Sequence, residues 1–382
     1  MNEFNNLANV IKVFGLSAFS FALAIFWTPA LTHYLYKYKL WRKDVRQMSP
    51  DGSRTPLFAA LHKDRETSVP RLGGVLVWLT VLFVALFFWI AAKVFDVDFF
   101  GKANFLSRNQ TWLPLFTMLA ASILGLADDL MQVFRKENYT ARGINPPILF
   151  YKFMSAIRPR RQNIQEGGGV KFRHRLLAVF LIALAGAWWF YFKLDWRTIY
   201  IPGYGDFYLG LWYIPLFVSA MIILFSSSIV DGIDGLAGGV FGAAFAAYGG
   251  IAFFRGQIDL AAFAGVVLGA LLAFLWFNIP PARFYMGESG ILGLTTSLTV
   301  IAFLTDSVVV LPIIGFILMA EVASDVIQFV SKKFLGRKVF LIAPIHHHFE
   351  ALGWPPEKVT MRFWVVSVVA AIIGMAIALI GR

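Results

Sequence analysis

The chain has 382 residues, of which 58% are hydrophobic, 16% are aromatic and only 15% are charged. Soluble domains contain about 45–50% apolar residues, so this composition excludes an ordinary soluble domain and predicts an integral membrane protein. The lack of cysteine excludes disulfides and thiolate chemistry. The formal net charge of +12 is explained by membrane orientation, so we expect no nucleic-acid partner.

Long apolar runs recur along the whole chain. Because about 20 apolar residues cross a bilayer as a helix, they predict an all-α fold of ten transmembrane helices in a single polytopic domain, 1–382. The predicted spans are 10–36, 72–94, 112–127, 174–192, 211–230, 236–254, 260–278, 290–305, 307–330 and 361–381. Pro29, Pro114, Pro215 and Pro312 are expected to kink or open their helices.

Ten spans place both termini on one side and leave five odd-numbered connections. These connections are 37–71, 128–173, 231–235, 279–289 and 331–360. The first, second and last carry most of the lysine and arginine, so the positive-inside rule predicts that they are cytoplasmic and that both termini are outside. All the polar motifs then lie on the cytoplasmic face, which predicts an active-site cleft there. The basic segment 158–169 is expected to rest on anionic membrane lipid.

The acidic turn at 231–235 lies between two apolar runs. Asp231 and Asp234 alternate with glycines, and a helix that begins after Asp234 would direct backbone N–H groups into the turn. The pattern predicts a phosphate site in which the carboxylates hold a cation. The two aspartates could also be ordinary turn and N-cap residues.

Two other acidic motifs have the same setting. Asp128 and Asp129 end the third predicted span, where neighbouring carboxylates favour a cation between them, although a solvated helix end is the alternative. Glu288 precedes the eighth span, follows Asn278 and comes three residues after Tyr285. Its carboxylate predicts an Mg²⁺ ligand and Tyr285 a stacking partner for a nucleobase, whereas the alternative for Glu288 is an N-terminal helix charge.

Three successive histidines, His346 to His348, lie in the last cytoplasmic connection. Adjacent side chains on a regular backbone point apart, so a shared metal site is not favoured, and we expect donors to phosphate oxygens. Glu321 and Asp325 lie one helical turn apart inside the ninth predicted span. Their intramembrane position favours a functional role as much as a structural pairing with another helix.

The segment Pro344-Ile-His-His-His-Phe-Glu350, with Gly353-Trp354-Pro after it, resembles the signature of the phospho-N-acetylmuramoyl-pentapeptide transferases. The motifs at 69–74, 128–129, 231–237 and 278–288 are similar to those of the wider polyprenyl-phosphate sugar-1-phosphate transferases. The resemblance implies a homodimeric enzyme of the bacterial cytoplasmic (inner) membrane. Such an enzyme transfers phospho-MurNAc-pentapeptide from UDP-MurNAc-pentapeptide to undecaprenyl phosphate with Mg²⁺, giving lipid I and UMP.

The resemblance also implies roles for individual residues. Glu288 stands where the family has a metal-binding aspartate, and Tyr285 where a phenylalanine stacks on uracil. Asp128 and Asp129 match a pair that accepts a proton or binds metal and phosphates. Asp231, Asp234 and Asn278 match positions in the nucleotide cleft, and Asp231 is also a candidate metal ligand. Ser228 stands in place of an asparagine at a substrate-binding position, and His346 and His347 match positions near phosphate. Lys63, Arg71 and Arg175 are predicted to align the lipid phosphate.

Other functions stay open from the residues alone. The acidic motifs suit a transferase that uses UDP-GlcNAc or another UDP-sugar equally well, although the histidine segment argues against it. The substitutions at Ser228 and Glu288 keep an inactive scaffold open. A transporter would gather its polar groups near the middle of the bilayer, not at one face. Direct phosphoryl transfer and a two-step route through an aspartate nucleophile are both compatible with the motifs.

Overall fold

The computed structural model describes residues 2–41, 68–106, 109–133, 169–170 and 172–381. Its first helices are α1 (Asn2–Lys37), α2 (Gly74–Val94), α3 (Asp98–Ala103), α4 (Asn109–Val133) and α5 (Phe172–Trp188, continued by a π-helical turn Trp189–Lys193). A hairpin of β1 (Thr198–Ile201) and β2 (Gly205–Tyr208) follows. The remaining helices are α6 (Tyr213–Ser226), α7 (Leu236–Phe254), α8 (Ile258–Asn278), α9 (Gly287–Leu304), α10 (Leu311–Ile314), α11 (Phe316–Leu335), α12 (Ile345–Ala351) and α13 (Pro356–Ile380).

The long helices have the length and apolar composition of membrane spans. Among the described residues nine pass as single spans, and α10 with its preceding turn forms a tenth with α11, bent by 80°. The prediction of an all-α integral membrane protein with about ten spans is therefore confirmed. The short antiparallel hairpin was not predicted, because its two four-residue strands carry no long alternating pattern.

Helix α9 is the centre of the bundle and is buried along almost its whole length. It is rich in glycine, serine and threonine, which lets neighbouring helices approach closely within a membrane. A Cβ on Gly125 of α4 would overlap the backbone carbonyl of Glu288 at the start of α9. This close approach fixes α4, and therefore the acids near its end, against the first turn of α9.

The ninth predicted span differs from a simple kinked helix. Pro312 lies in the short helix α10, and the chain turns by 80° at Gly315 before α11 begins. Proline lacks a backbone N–H and glycine tolerates unusual backbone angles, so the sequence signalled a kink but not its size. The bend directs α11, with Glu321, towards the helix that carries the histidines.

Two helix ends also differ from the predictions. Helix α4 continues to Val133, so Asp128 and Asp129 lie inside it and not at its end. Helix α9 begins at Gly287, so Glu288 belongs to its first turn. The first shift is nearly two helical turns and the second is about one. Contacts between the two helices, which a single segment does not reveal, stabilise the added residues.

Connections gather at the two ends of the bundle. At one end, backbone hydrogen bonds join the segment before α2 to the 279–286 turn, from Tyr285 N–H to Pro70 O and from Gly73 N–H to Tyr285 O, each at 2.8 Å. At the other end, the hairpin contacts the C-terminal residues, where Gly203 N–H donates to Gly381 O. The turn before α9 therefore lies at the same end of the bundle as the connection before α2, as the order of the spans predicts.

Candidate active site

Asp129 joins α4 to the beginning of α9. Its Oδ1 accepts the backbone N–H of Glu288 at 3.2 Å and its Oδ2 accepts that of Ser289 at 2.9 Å. The first N–H groups of a helix have no partner within the helix, and a carboxylate there also complements the positive end of the helix dipole. Asp129 is only 1% exposed, so it acts as a cap, supplied by another helix, that positions Glu288.

Arg175, on α5, bridges the carboxylates of Asp128 and Glu288. Its Nη1 lies 2.6 Å from Glu288 Oε1 and 3.3 Å from Asp128 Oδ2. Asp128 also accepts the side-chain amide of Gln132 at 2.7 Å and the backbone N–H of Val170 at 2.5 Å. The guanidinium therefore offsets the charge of two acids that are 160 residues apart along the chain.

The acidic turn at 231–235 also contacts the start of α9. Asp231 Oδ2 accepts the N–H of Gly287 at 2.8 Å, so the residue before Glu288 is held as well. Burial raises the pKa of the Asp231 carboxyl to about 6, against the opposing effects of Arg71 and of the hydrogen bond from Gly287. Residues from four separate segments thus surround the first turn of α9.

Asp234 and Asn278 hold the two turns together. Asp234 Oδ2 accepts the N–H of Ala282 at 3.1 Å, and Asn278 accepts the N–H of Gly235 at 2.9 Å while donating to Phe284 O at 2.8 Å. Both side chains are buried. Their hydrogen bonds give them a scaffolding position in the cleft, and any contact with a nucleotide stays a prediction.

His346 and His347 lie on the short helix α12, and each has a carboxylate behind it. His346 Nδ1 lies 2.9 Å from Glu321 Oε2, and His347 Nδ1 lies 2.6 Å from Glu350 Oε2. A Cβ built on Gly232 would overlap His346 Nε2 and approach His347 Nε2 at 3.0 Å. The two rings, with centroids 4.0 Å apart, therefore converge on the acidic turn.

This convergence corrects the expectation that adjacent histidines point apart. The expectation is correct for His348, whose Nδ1 accepts the N–H of Leu341 at 3.2 Å. It is wrong for His346 and His347, which both face Gly232. Burial lowers the pKa of His346, whereas the charge of Glu321 and the hydrogen bond to it raise the pKa, and the net pKa lies above its ordinary value of 6.5.

The donor set near Glu288 fits a hard divalent cation. Glu288 Oε2 is buried and, among the described residues, has no hydrogen-bond partner, while Asp128 and Asp231 supply carboxylate oxygens beside it. No three acidic or histidine side chains in the described ranges form a ready-made metal site, so substrate phosphates would have to complete the coordination. Both oxygens of Asp129 accept backbone N–H groups, and both oxygens of Asp128 accept other hydrogen bonds, so Oε2 of Glu288 is the carboxylate oxygen best placed to bind the cation.

The remaining predicted residues have different placements. Ser228 lies in the 3-10 turn Ser227–Val230, directly before Asp231. Tyr285 is 9% exposed and its backbone joins the segment before α2. Arg71 precedes α2 and acts electrostatically on Asp231. Lys63 lies outside the described residues.

Sequence reasoning missed several partners of the site. Gln132 and Glu350 were not predicted as partners, but each follows its partner by one helical turn, at i+4 from Asp128 and i+3 from His347. That spacing is a usable signal. Thr360 and Trp364 of α13, which donate to the carbonyl oxygens of Asp234 and Gly235, carry no such local signal.

Fold and site together define a multi-pass membrane enzyme whose acids, arginines and histidines meet at one end of a helical bundle. The family model described as Glycosyl transferase family 4 matches residues 111–306. A Phospho-N-acetylmuramoyl-pentapeptide-transferase of Chloroflexus aggregans is 30% identical over 383 residues, covering 96% of this chain and 89% of the relative.

Proteins of the same name from other bacteria are similar to this chain over nearly their full lengths. The Pelagibacter ubique protein is 30% identical, covering 95% of this chain and 91% of its own, and the Lactiplantibacillus plantarum protein is 29% identical, covering 96% and 98%. The chain therefore belongs to glycosyl transferase family 4 and, within it, to the phospho-N-acetylmuramoyl-pentapeptide-transferases. The family predicted from the histidine segment and the acidic motifs is confirmed.

Proposed function

We propose that the protein transfers phospho-MurNAc-pentapeptide from UDP-MurNAc-pentapeptide to undecaprenyl phosphate, giving lipid I and UMP. The observation that carries the proposal is the meeting of Asp128, Asp231 and Glu288 around one helix start, where Arg175 joins the first and last of them. Full-length similarity to transferases that carry this name supports the same reaction. We further propose that the site faces the cytoplasm of the inner membrane and that the enzyme is a homodimer.

The reaction is a phosphoryl transfer in one step. An oxygen of the lipid phosphate forms a bond to the sugar-linked phosphorus of the UDP-sugar, and the bond from that phosphorus to the bridging oxygen breaks as UMP leaves. Such reactions depend chiefly on positioning and on electrostatic stabilisation. Arg175 and Arg71 supply positive charge beside the acids, and Asp128 accepts the remaining proton of the lipid phosphate.

Asp128 suits the role of base better than Asp129 does. The hydrogen bonds of Asp128 come from a side-chain amide, a guanidinium and the N–H of Val170, whereas Asp129 holds two successive amides of a buried helix. The carboxylate of Glu288 would hold Mg²⁺ together with substrate phosphates, and the ion when bound would draw negative charge from the diphosphate. The Nε2 atoms of His346 and His347, both directed at Gly232, are placed to contact a phosphate oxygen there.

The test is a transfer assay on purified protein with Mg²⁺ and undecaprenyl phosphate. We expect UMP release with UDP-MurNAc-pentapeptide and little with UDP-GlcNAc, and a loss of release in Glu288→Gln. Preference for UDP-GlcNAc would assign the related sugar transferase instead. Absence of release with either sugar, and with Glu288→Asp, would favour an inactive scaffold. Exchange of labelled UMP into the UDP-sugar without the lipid would contradict the one-step route.

A further inference from the structure

Glu321 is a carboxylate that is completely buried on α11. Burial of a charged group is costly unless it is paired, and its pairing here is to one atom, His346 Nδ1, at 2.9 Å. Its second oxygen, Oε1, has no hydrogen-bond partner within the described part of the chain. The geometry therefore directs the influence of Glu321 to one ring.

The attachment of α12 to α11 does not depend on this carboxylate. Ser324 Oγ accepts the N–H of Ile345 at 2.9 Å, and the side chain of Gln328 bonds the backbone of Val339 and Phe340 at 2.9–3.1 Å. These bonds connect α11 to the segment that leads into α12. A purely structural role for the Glu321 side chain is therefore already filled by its neighbours.

The opposite edge of the His346 ring has no hydrogen-bond partner in the part of the chain that the structure describes. Nε2 is buried, makes no hydrogen bond to any described residue and is directed at Gly232 in the acidic turn. A carboxylate bonded to Nδ1 fixes which nitrogen faces outwards and stabilises the imidazolium form, as in other carboxylate–histidine pairs. In the imidazolium form both ring nitrogens carry a proton, so Nδ1–H donates to Glu321 while Nε2–H can donate to an anionic oxygen placed over Gly232.

We propose that Glu321 is a positioning residue for the transfer reaction: it holds His346 so that Nε2–H is presented to a substrate phosphate oxygen over Gly232. This inference rests on the proposed function. His347 lies beside His346, with Glu350 behind its Nδ1 and its own Nε2 near Gly232. The intramembrane acid is thus assigned to the site and not to an ion pathway.

The test compares three variants that separate hydrogen bond from charge. Glu321→Gln keeps an acceptor oxygen and loses the charge, and Glu321→Leu loses both. Asp325→Asn is the matched control for charge without the hydrogen bond, because Asp325 is the other acid of α11 and acts on His346 through its charge but not through a hydrogen bond to the ring. Initial rates of UMP release give kcat and KM for both substrates, and thermal unfolding in detergent reports folding.

Loss of an orienting partner typically costs about 10–100-fold in activity. We expect kcat to fall about 100-fold in Glu321→Leu and about 10-fold in Glu321→Gln, with Asp325→Asn close to wild type. Spectra of ¹⁵N-histidine protein, assigned by difference from His346→Asn, should show the His346 ring nitrogens shifted in both Glu321 variants. A merely structural role would leave those signals in Glu321→Gln unchanged.

The outcomes separate this inference from the function. Wild-type UMP release with unchanged kcat and unchanged ring signals in Glu321→Leu would overturn the role of Glu321 and leave the function standing. A loss of kcat matched by unfolding, with unshifted signals in the folded Glu321→Gln protein, would also overturn it. If the wild type releases no UMP, the proposed function fails, and unshifted ring signals would then refute the positioning by Glu321 as well.

Discussion

Asp129→Asn tests whether the cap between α4 and α9 controls the position of Glu288. The carboxylate accepts two successive backbone N–H groups, those of Glu288 and Ser289. An asparagine offers one oxygen, and its NH₂ group would face the second N–H. One charge-assisted bond is lost and one buried donor is left unsatisfied, which costs about 2–3 kcal/mol. Since 1.36 kcal/mol corresponds to tenfold in rate, kcat should fall about 30–150-fold if this energy appears in the transition state.

The assay measures UMP release and thermal unfolding of the same preparation. We expect Asp129→Asn to lower both kcat and the unfolding temperature, because the bonds stabilise the helix start and place Glu288. Asp128→Asn should also lower kcat, but it leaves the two backbone N–H bonds at the start of α9 in place. Asp98→Asn, whose side chain is 79% exposed on α3, is the matched control and should behave as wild type. A fully active and fully stable Asp129→Asn would refute the capping argument.

Three other changes give distinct results. Glu288→Gln should lower kcat by about two orders of magnitude, the loss typical of removing one electrostatic contact in the transition state. It should also raise the Mg²⁺ concentration needed for the half-maximal rate. An unchanged Mg²⁺ titration would exclude Glu288 as a ligand. Gly232→Ala should reduce UMP release because its Cβ would overlap His346 Nε2, whereas circular dichroism should be unchanged; full activity would mean that no substrate lies over this glycine. Without substrate or metal, the wild type should gain thermal stability as the pH falls from 7 to 5. The reason is that the pKa of Asp231 is raised from 3.8 to about 6 in the folded protein. The folded state therefore binds the proton more tightly than the unfolded chain does. Asp231→Asn should show a smaller gain, because His346, whose pKa is also raised, still contributes; a pH profile identical to that of the wild type would contradict the raised pKa of Asp231.

Much of the architecture follows from local properties of the chain. Apolar runs of sufficient length become helices wherever they occur, because a backbone in a bilayer must satisfy its own hydrogen bonds. The order of the spans then places the turns at 231–235 and 279–289 at one end, with the Asp128 pair nearby. The histidine segment, a contiguous motif, was enough to predict the family.

Local patterns could not give the contacts inside the site. The bond between Asp129 and the N–H of Glu288 joins residues 159 positions apart, and it exists because Gly125 lets α4 approach the start of α9. The direction of α11 depends on a bend whose size proline and glycine signals do not specify. That bend places Glu321 behind His346.

The sequence by itself therefore determined the membrane class, the approximate spans and the residue types that gather at one end of the bundle. Only the tertiary structure decided that Asp129 caps a helix, that Arg175 lies between Asp128 and Glu288, and that two adjacent histidines converge on Gly232. Helices form from bonds within one segment, whereas these contacts depend on the distance and rotation between packed helices. Those quantities arise from many side chains at once.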